Sequence, residues 1–370
     1  MDCTPGRIPA LGNIRDSQNQ VWVVPAAVEF NNSAFPFASD LYNACIGKNY
    51  SSSKVALAAL TGTDIVTIDQ DGELITGYIF ADNYFEMYVN GKAIGKDKVP
   101  FTEFNSCIVR FRVKRPFTIA MLLVDWEEAL GLGTELNGGF AYHPGDGGMA
   151  ALFTDSLGNT VAITNENWKA QTYYTAPVKD LSCPYEVGNY RYSNQCNTAS
   201  ENDGSNWYGL HWKRPENWMQ PSFSDTAWPA AFTYTNTEIG VNNKPSYTNF
   251  TDVFDKPGSD AKFIWSSNLI LDNEVLVRYR VESAALTKPK SDFSYWINNP
   301  VFNHLTIHFN FPGKLWCAIF DQTGREVISR ECKGDSDQID VSLLKNGVYI
   351  LEIRNPDGSI YRDKILILNQ

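Results

Sequence analysis

Residues 80–95, FADNYFEMYVNGKAIG, predict a β-hairpin. After Asn83 the side chains alternate between two sets, Tyr84, Glu86 and Tyr88 against Phe85, Met87 and Val89. This period of two is typical of a β-strand with both faces occupied, and Asn90-Gly91 is the commonest signal of a type I′ two-residue turn. We interpret the hairpin as framework of a β-sandwich, with binding left to the loops around it.

The composition extends this prediction to the whole chain. Of the 370 residues, 13% are aromatic, and 26 glycines and 18 prolines are spread through the sequence. Aromatic residues favour strands while glycine and proline favour turns, so we expect many short strands rather than helical bundles. The predicted fold class is all-β, with a jelly-roll or β-sandwich large region followed by a small immunoglobulin-like β-sandwich.

The net charge excludes two classes of partner. The formal charge is −11 at pH 7, and nearly all of it belongs to residues 1–297, because the last 73 residues carry 8 basic and 9 acidic side chains. Such a surface repels nucleic acid and anionic lipid, whereas acidic β-rich surfaces often bind Ca²⁺.

The sequence contains no transmembrane segment, because no run of 18 apolar residues occurs. The N-terminal MDCTPGRIP has neither a basic nor an apolar signal-peptide region. Either the protein is cytosolic, or a signal peptide was removed and Met1 was added for expression; the C-terminal features described below favour the second alternative.

Seven cysteines are scattered through the chain, and no pair has the C-x₂-C spacing of zinc or thioredoxin-like sites. We expect disulfides between Cys183 and Cys196 across a polar loop, and between Cys317 and Cys332 on neighbouring strands. A third pairing, Cys3 with Cys45, would leave Cys107 free in a strand. The alternative is that all the thiols are buried and reduced.

The strongest strand signals lie between residues 63 and 125. Asp71-Gly72 and Asn90-Gly91 are hairpin-type dipeptides and are predicted to divide this stretch into consecutive hairpins. Residues 127–148 contain seven glycines in 22 positions without a sustained period, which indicates a long structured loop. Loops of this kind on a rigid sandwich commonly bind ligands.

The last part of the chain has a different pattern. After a predicted linker at 287–297, about seven short strands follow within 298–370, which predicts a small β-sandwich separate from the large region at 1–286. Its distinctive residues are Asn299-Pro300, Ile319-Phe320-Asp321 with Gly324 and Val327, Ile339 to Leu343, Asn346 to Leu351, and Lys364 to Ile367. In these residues the segment resembles the type A sorting domain of the type IX secretion system of Bacteroidetes.

The resemblance implies export through the outer membrane by the type IX machinery, with the passenger released or attached to the cell surface. It is consistent with a signal peptide that has been removed. It implies a location and an export partner, and it leaves the function of the passenger open.

The large region contains three distinctive stretches: ADNYFEMYVNGKAIG, PSFSDTAWPAA at 221–231, and FIWSSNLILDNEVLVRYRV. In these stretches it resembles galactose-binding-like jelly rolls. In that superfamily the Trp-Pro run precedes the Asn-Gly run, whereas here it follows. Two sheets from separate halves of the region, or a permuted or duplicated sandwich, would explain this order, so no site residues are transferred from the superfamily.

Acidic residues in TDIVTIDQDGE suggest a cation site. Asp64, Asp69, Asp71 and Glu73 could place several oxygens around Ca²⁺, and Asp82 could join them beside a jelly-roll rim. The spacing does not fit an EF-hand. The alternatives are an Asp-Gly turn with solvated carboxylates, and local hydrogen bonding by Asp82.

A second set of candidates begins at DWEE and continues into the glycine-rich loop. Trp126, Glu127, His143 and Asp146 could stack on a sugar and hydrogen-bond its hydroxyls. Asp125, Glu127, Glu128 and Asp146 could instead act as the acid and base of a glycoside hydrolase, if two of them stand about 5 to 10 Å apart. A purely structural loop is the third alternative.

A tryptophan-rich segment, WYGLHWKRPENWM, supplies further aromatic candidates. Trp207 and Trp212 are interpreted as a platform on which a sugar ring stacks, with Trp218 nearby; the alternative is a plug of aromatic rings in the core. The sequence has no G-x-S-x-G, H-E-x-x-H or glycine-rich phosphate loop, which argues against a classical serine hydrolase or zinc enzyme.

Three hypotheses follow. The first is a secreted, non-catalytic protein that binds glycans through Trp126, Trp207 and Trp212, with Ca²⁺ as a candidate cofactor. The second is a polysaccharide-degrading enzyme with paired carboxylates. The third is a structural surface or filament subunit, in which the aromatic loops contact other protein chains.

Overall fold

The computed structural model describes residues 11–99, 104–126, 135–137, 140–143, 147–196, 208–257, 259–283, 295–309, 314–333, 336–354 and 360–369; for 135–137, 140–143 and 259 it describes the backbone. The chain divides into two compact units, Met1–Ser283 and Ala284–Gln370. Residues 295–297, within the segment predicted as a linker, form a strand of the second unit.

The first unit consists mainly of strands. They are β1 (Gly12–Arg15), β2 (Val21–Val24), β3 (Ser39–Asn43), β4 (Lys48–Asn49), β5 (Ile65–Thr67), β6 (Glu73–Asp82), β7 (Tyr84–Val89), β8 (Lys92–Lys96), β9 (Ser106–Val113), β10 (Phe117–Val124), β11 (Glu135–Asn137), β12 (Phe140–His143), β13 (Gly148–Thr154), β14 (Thr160–Ile163), β15 (Lys169–Val178), β16 (Tyr185–Val187), β17 (Tyr190–Tyr192), β18 (Tyr208–His211), β19 (Phe232–Tyr234), β20 (Asp255–Lys256), β21 (Ser259–Asp260), β22 (Phe263–Trp265) and β23 (Asp272–Val281). Four short α-helices are α1 (Ser53–Ala58), α2 (Asn236–Ile239), α3 (Pro245–Thr248) and α4 (Thr251–Phe254), and 3₁₀ turns span Ala44–Ile46 and Gly62–Asp64.

Two large sheets form a sandwich, as the sequence predicted. Among the described residues, one sheet has the order β18-β15-β23-β10-β7-β8, and the other has the order β19-β22-β13-β6-β9-β3-β4, with β14 beside β13 and β5 beside β9. The alternation in β7 explains how the layers meet. Phe85, Met87 and Val89 point into the main core between the sheets, where they join Ile119 of β10 and other buried residues.

The hairpin predicted at Asn90-Gly91 is confirmed. Strands β7 and β8 pair with Val89 opposite Lys92, and both turn residues have positive φ, 49° at Asn90 and 79° at Gly91, as a type I′ turn requires. A Cβ atom at Gly91 would lie 2.3 Å from the terminal amide of Gln220, a flexible side chain that would have to move, so the positive φ is the main requirement for glycine there.

The second predicted hairpin, at Asp71-Gly72, is wrong. Strand β5 pairs with β9 in parallel, while β6 pairs with β9 antiparallel. Because β5 shares its edge of β9 with β3, β5 and β6 lie on opposite sides of β9. The Asp-Gly dipeptide therefore makes a turn within a longer connection, where Gly72 donates its amide hydrogen to the Asp69 carbonyl at 3.0 Å.

A second, smaller core covers the other face of the six-stranded sheet. Tyr84, Ala120, Leu122, Val124 and Leu276 point outward from it. They are covered by two segments that supply Ala26, Val28 and Phe30, and Trp212, Trp218, Met219, Phe223 and Trp228. The aromatic segments that the sequence suggested as binding loops therefore largely cover the sheet.

Buried charged side chains hold the two covering segments against the sheet. The Lys96 side chain is fully buried, and its Nζ donates to the backbone carbonyls of Glu29, Phe30 and Asn32 at 2.7, 2.8 and 2.8 Å. Arg214 pairs with the buried Glu274 at 2.9 Å. A buried charge without such partners would cost several kcal/mol, so these contacts are required for the cover to form.

The second unit is a small β-sandwich. Its strands are β24 (Tyr295–Ile297), β25 (His304–Phe309), β26 (Lys314–Phe320), β27 (Glu326–Lys333), β28 (Ser336–Asp340), β29 (Gly347–Arg354) and β30 (Ile360–Ile367). Among the described residues they form two sheets, β24-β25-β28 and β27-β26-β29-β30. The sheets enclose a separate apolar core that includes Leu305, Ile319, Leu351 and Ile365.

The cysteines follow the predictions in part. Cys183 and Cys196 form a disulfide, Cys45 is disulfide-bonded, and Cys107 is a free buried thiol in β9. The partner predicted for Cys45, Cys3, lies outside the described residues.

The predicted Cys317–Cys332 disulfide is wrong, since both residues are free buried thiols. Cys317 lies opposite Arg330, and Cys332 lies opposite Leu315, so the two cysteines are diagonal neighbours across β26 and β27. Diagonal positions are about 7 to 8 Å apart, which exceeds the usual Cα separation of a disulfide. The two thiols hydrogen-bond to each other instead, and this bond together with burial raises the pKa of Cys317.

Candidate functional site

A short hairpin closed by a disulfide projects beside the six-stranded sheet. Strands β16 and β17 pair antiparallel, and their connection contains Gly188 at φ 61°, a conformation that favours glycine. The Cys183–Cys196 bond joins the two ends of the segment, with a Cα separation of 5.0 Å. Closing this 13-residue separation restricts the unfolded chain and holds the hairpin in place.

The inner side of this hairpin borders a pocket of about 310 Å³, which we call the hairpin pocket. Its lining residues are Thr175, Pro184, Tyr185, Glu186, Arg191, Tyr192, Ser193, Leu210, His211 and Trp212. Tyr185 and Tyr192 are a cross-strand pair, with ring centroids 5.0 Å apart and planes inclined by 21°. Tyr185 and Tyr192 therefore form an aromatic wall of the pocket, and Tyr190, which is not a lining residue, stacks on Tyr192 at 6.0 Å.

Trp212 and the cross-strand pair Glu186–Arg191 form another wall. The Trp212 Nε1 donates to Glu186 Oε1 at 2.7 Å. The Arg191 guanidinium lies over the rings of Trp212 and Tyr173, 4.7 and 4.8 Å from their centroids, and it donates to the Thr172 carbonyl. These contacts fix the indole and the carboxylate before any ligand arrives.

A buried carboxylate anchors the hairpin to the sandwich. Asp272, which is 1% exposed, accepts hydrogen bonds from the hydroxyls of Thr175 and Ser193, both of which line the pocket, at 2.6 and 3.1 Å. Thr172 and Ser266 donate to the same carboxylate at 2.9 and 2.6 Å. Burial raises the pKa of Asp272, while the four hydroxyl hydrogen bonds oppose that shift.

His211 forms part of the pocket floor. Its ring stacks on Trp22 with centroids 4.0 Å apart, and its Nδ1 lies 3.2 Å from the Trp212 carbonyl oxygen. Burial lowers the pKa of His211 to about 4, because the charged imidazolium would lose its hydration. The imidazole is therefore neutral at pH 7.

The predicted aromatic residues lie in different places. Trp212 lines the hairpin pocket, whereas Trp126 is 3% exposed and packs edge-on against Tyr84 at 5.9 Å in the second core. Trp218 is 4% exposed in the same core. Trp207 lies outside the described residues. Of the three proposed stacking residues, the structure thus places Trp212 at a pocket.

The predicted carboxylates in and before the glycine-rich loop fall mostly outside the described residues. Glu127, Glu128 and Asp146 lie outside the described residues, and His143 is described by its backbone in β12. Asp125 is 1% exposed and precedes Trp126 at the end of β10.

Each predicted cation ligand forms its own hydrogen bond or ion pair with a nearby residue. Asp64 accepts the Thr61 amide hydrogen at 2.7 Å, Asp69 accepts that of Lys114 at 2.8 Å, and Asp71 pairs with Lys114 at 2.7 Å. Glu73 forms an ion pair with Arg115, and Asp82 is 5% exposed and accepts from Asn83 at 2.9 Å.

These local partners neutralise or satisfy the carboxylates one by one. Within the described parts of the chain, no group of three or more His, Cys, Asp or Glu side chains is arranged to hold a metal ion. The Ca²⁺ site expected at these five acids stays a prediction.

Sequence reasoning missed the hairpin residues Tyr185, Glu186, Arg191 and Tyr192. The signal was present in YEVGNYRY, where alternating aromatic and charged residues flank a Gly-Asn dipeptide between two cysteines. That pattern is typical of a two-residue hairpin with one aromatic face.

Comparisons with known proteins identify the C-terminal unit. Residues 298–368 match the family model of the secretion system C-terminal sorting domain. No curated protein matches the chain. Among the described residues, no helix is long and apolar enough to span a membrane.

Solved structures give low structural similarity. PorZ, a surface component of the type-IX secretion system of Porphyromonas gingivalis, matches with a TM-score of 0.19 and 13% identity over 29% of this chain and 15% of its own. A β-glucuronidase of Faecalibacterium prausnitzii matches with a TM-score of 0.19 and 11% identity, over 99% of this chain and 44% of its own. A Pleurotus ostreatus lectin matches with a TM-score of 0.22 and 12% identity, over 81% of this chain and 73% of its own.

The chain spans less than half of the first two of these proteins, and such low scores carry no argument about function. The family match does bear on location and on one partner, because a sorting domain is the part of an exported protein that interacts with the type IX machinery. Residues 298–368 are therefore a type IX C-terminal sorting domain, and the protein is secreted or displayed on the cell surface.

Proposed function

We propose that the protein binds glycans without chemical turnover, and that the hairpin pocket is the binding site. The observation that supports this proposal most strongly is the combination of aromatic and polar walls around one pocket of about 310 Å³. An aromatic ring covers the apolar C–H face of a sugar, while carboxylate and hydroxyl groups bind its hydroxyls.

The positions of the side chains support this chemistry. Tyr185 is 37% exposed, so part of its ring is available to a ligand, whereas its contact with Tyr192 holds it in place. Glu186, whose side chain is 54% exposed, supplies a polar group to the same pocket. Because the disulfide and the Asp272 contacts hold the hairpin, little ordering entropy is lost on binding.

The enzymatic alternative depends on four carboxylates, three of which lie outside the described residues. Of its four carboxylates, Asp125 is described, and it is buried. A structural or filament subunit remains the other alternative, and it predicts that the purified protein assembles as its concentration rises.

The test is a glycan array with the purified protein, followed by calorimetry on each glycan that binds. Tyr185→Ala and Trp212→Ala should each weaken binding at least about tenfold, equivalent to about 1.4 kcal/mol. Trp316→Ala is the matched control, since this tryptophan is 44% exposed on the sorting domain. Binding that survives both pocket substitutions, or an array without any binding, would refute the proposal.

A further inference from the structure

The two charged residues that line the hairpin pocket are not equally available to a ligand. Glu186 and Arg191 face each other across β16 and β17, with Arg191 Nε 3.9 Å from Glu186 Oε1. The side chain of Glu186 is 54% exposed, whereas that of Arg191 is 19% exposed. The pocket therefore presents its negative charge more openly than its positive charge.

The contacts of Arg191 show why its positive charge is less available. Rings of Tyr173 and Trp212 lie against its guanidinium, and the Thr172 carbonyl and the Tyr173 hydroxyl take its hydrogen bonds. An anionic ligand is best bound by a guanidinium with two free N–H groups in a fork. Arg191 is instead used to position Trp212 and the hairpin.

The contacts of Glu186 leave it able to accept from a ligand. Its Oε1 accepts the Trp212 Nε1 hydrogen at 2.7 Å, and the described residues supply no hydrogen bond to Oε2. A sugar hydroxyl can donate to this oxygen. A carboxylate or sulfate placed at the same point has no hydrogen to donate and carries a like charge.

The net charge of the whole chain also disfavours anionic ligands. Its formal charge is −11 at pH 7, so an anionic polymer is repelled as it approaches, and more strongly at low ionic strength. Among the described lining residues, Glu186 is the one acid and Arg191 the one arginine or lysine, and burial holds the pKa of His211 at about 4.

We infer that the hairpin pocket selects uncharged, hydroxyl-rich glycans and rejects those with uronic acid or sulfate groups, with Glu186 as the residue that discriminates. This inference rests on the proposed function. It narrows the ligand class to neutral sugars that donate hydroxyl hydrogens to the Glu186 carboxylate.

The experiment compares matched pairs of ligands. Neutral gluco-, galacto- and manno-oligosaccharides are measured by calorimetry beside the same oligosaccharides with each C6 hydroxymethyl group oxidised to a carboxylate. The full-length protein should bind at least one neutral form about tenfold more tightly than its acidic partner at low salt, and the ratio should shrink as salt is added.

Two variants separate the local charge from the overall charge. Glu186→Gln should raise affinity for the acidic form severalfold while weakening the neutral form. Glu216→Gln removes the same charge from a surface side chain that is 92% exposed and outside the pocket lining, so it should leave the ratio unchanged.

Equal or tighter binding of the acidic form would overturn the inference and leave glycan binding intact. The inference would also be overturned if Glu186→Gln left the ratio of the two affinities unchanged, or if Glu216→Gln changed that ratio as much as Glu186→Gln does. If neither form of any pair binds, the proposed function fails and this inference fails with it.

Discussion

His211 should make the stability of the protein depend on pH in a predictable direction. Burial between Trp22 and the pocket lowers the pKa of His211 to about 4 in the folded state, against an ordinary value of 6.5. At pH 7 the imidazole is neutral in both states. Between pH 6.5 and 4 the unfolded chain takes up a proton that the folded chain excludes, so stability is lost as the pH falls.

The magnitude follows from the separation of the two pKa values. A pH of 5 lies about 1.5 units below the pKa of the unfolded imidazole, which is therefore mostly protonated. The folded imidazole is still mostly neutral at this pH. At about 1.36 kcal/mol per unit, the free energy of unfolding should fall by about 2 kcal/mol between pH 7 and pH 5 on account of this residue.

The assay must isolate His211 from groups with the opposite effect. Burial raises the pKa of Glu274 and of Asp97 to about 7, so both destabilise the fold as the pH rises towards 7. Urea unfolding, followed by tryptophan fluorescence, is therefore measured for wild type and His211→Gln at pH 7 and pH 5. The carboxylates contribute equally to both proteins and cancel in the difference.

Wild type should lose about 2 kcal/mol more than His211→Gln between the two pH values. His308→Gln, in the sorting domain, provides a matched substitution outside the pocket and should behave as wild type does. The reasoning is refuted if wild type and His211→Gln lose the same free energy of unfolding between pH 7 and pH 5.

Three further outcomes are expected. Cys183→Ser should lower the free energy of unfolding by about 3 kcal/mol and weaken glycan binding, because the hairpin loses its closure; urea unfolding and calorimetry measure the two effects. Lys96→Met should cost about 3 kcal/mol in urea unfolding, since three backbone carbonyls lose a charged donor, whereas substitution of the exposed Lys92 by Met should cost less than about 1 kcal/mol. Leu351→Ala should destabilise the sorting domain by about 2 to 5 kcal/mol and reduce the exported fraction in cell fractionation, while Leu343→Ala, at a position 97% exposed, should leave export unchanged.

Local patterns predicted the parts of the fold that depend on neighbouring residues. The turn at Asn90-Gly91 was predictable because both positions need positive φ, which few residue types adopt readily. The Cys183–Cys196 disulfide was predictable from a short polar separation. At Asp71-Gly72 the same kind of reasoning failed, because the partner of β5 is β9, which lies about 45 residues further along the chain.

The candidate site was predictable in residue type and largely unpredictable in position. Trp212 was expected to contact a ligand and does line the hairpin pocket, yet Trp126 and Trp218, which looked equivalent in sequence, are buried in the second core. Exposure of an aromatic ring depends on what covers it. Here the cover is formed by segments distant in sequence, which no local pattern reports.

The sequence by itself determined the all-β class, the central hairpin and the C-terminal sorting domain, because each depends on residue periodicity or on a motif within a short segment. The tertiary structure decided which acids are engaged by local partners, which aromatic rings are buried, and where a pocket remains open. Those properties depend on which distant segments pack together, and that packing placed Trp212, Tyr185 and Glu186 around one pocket.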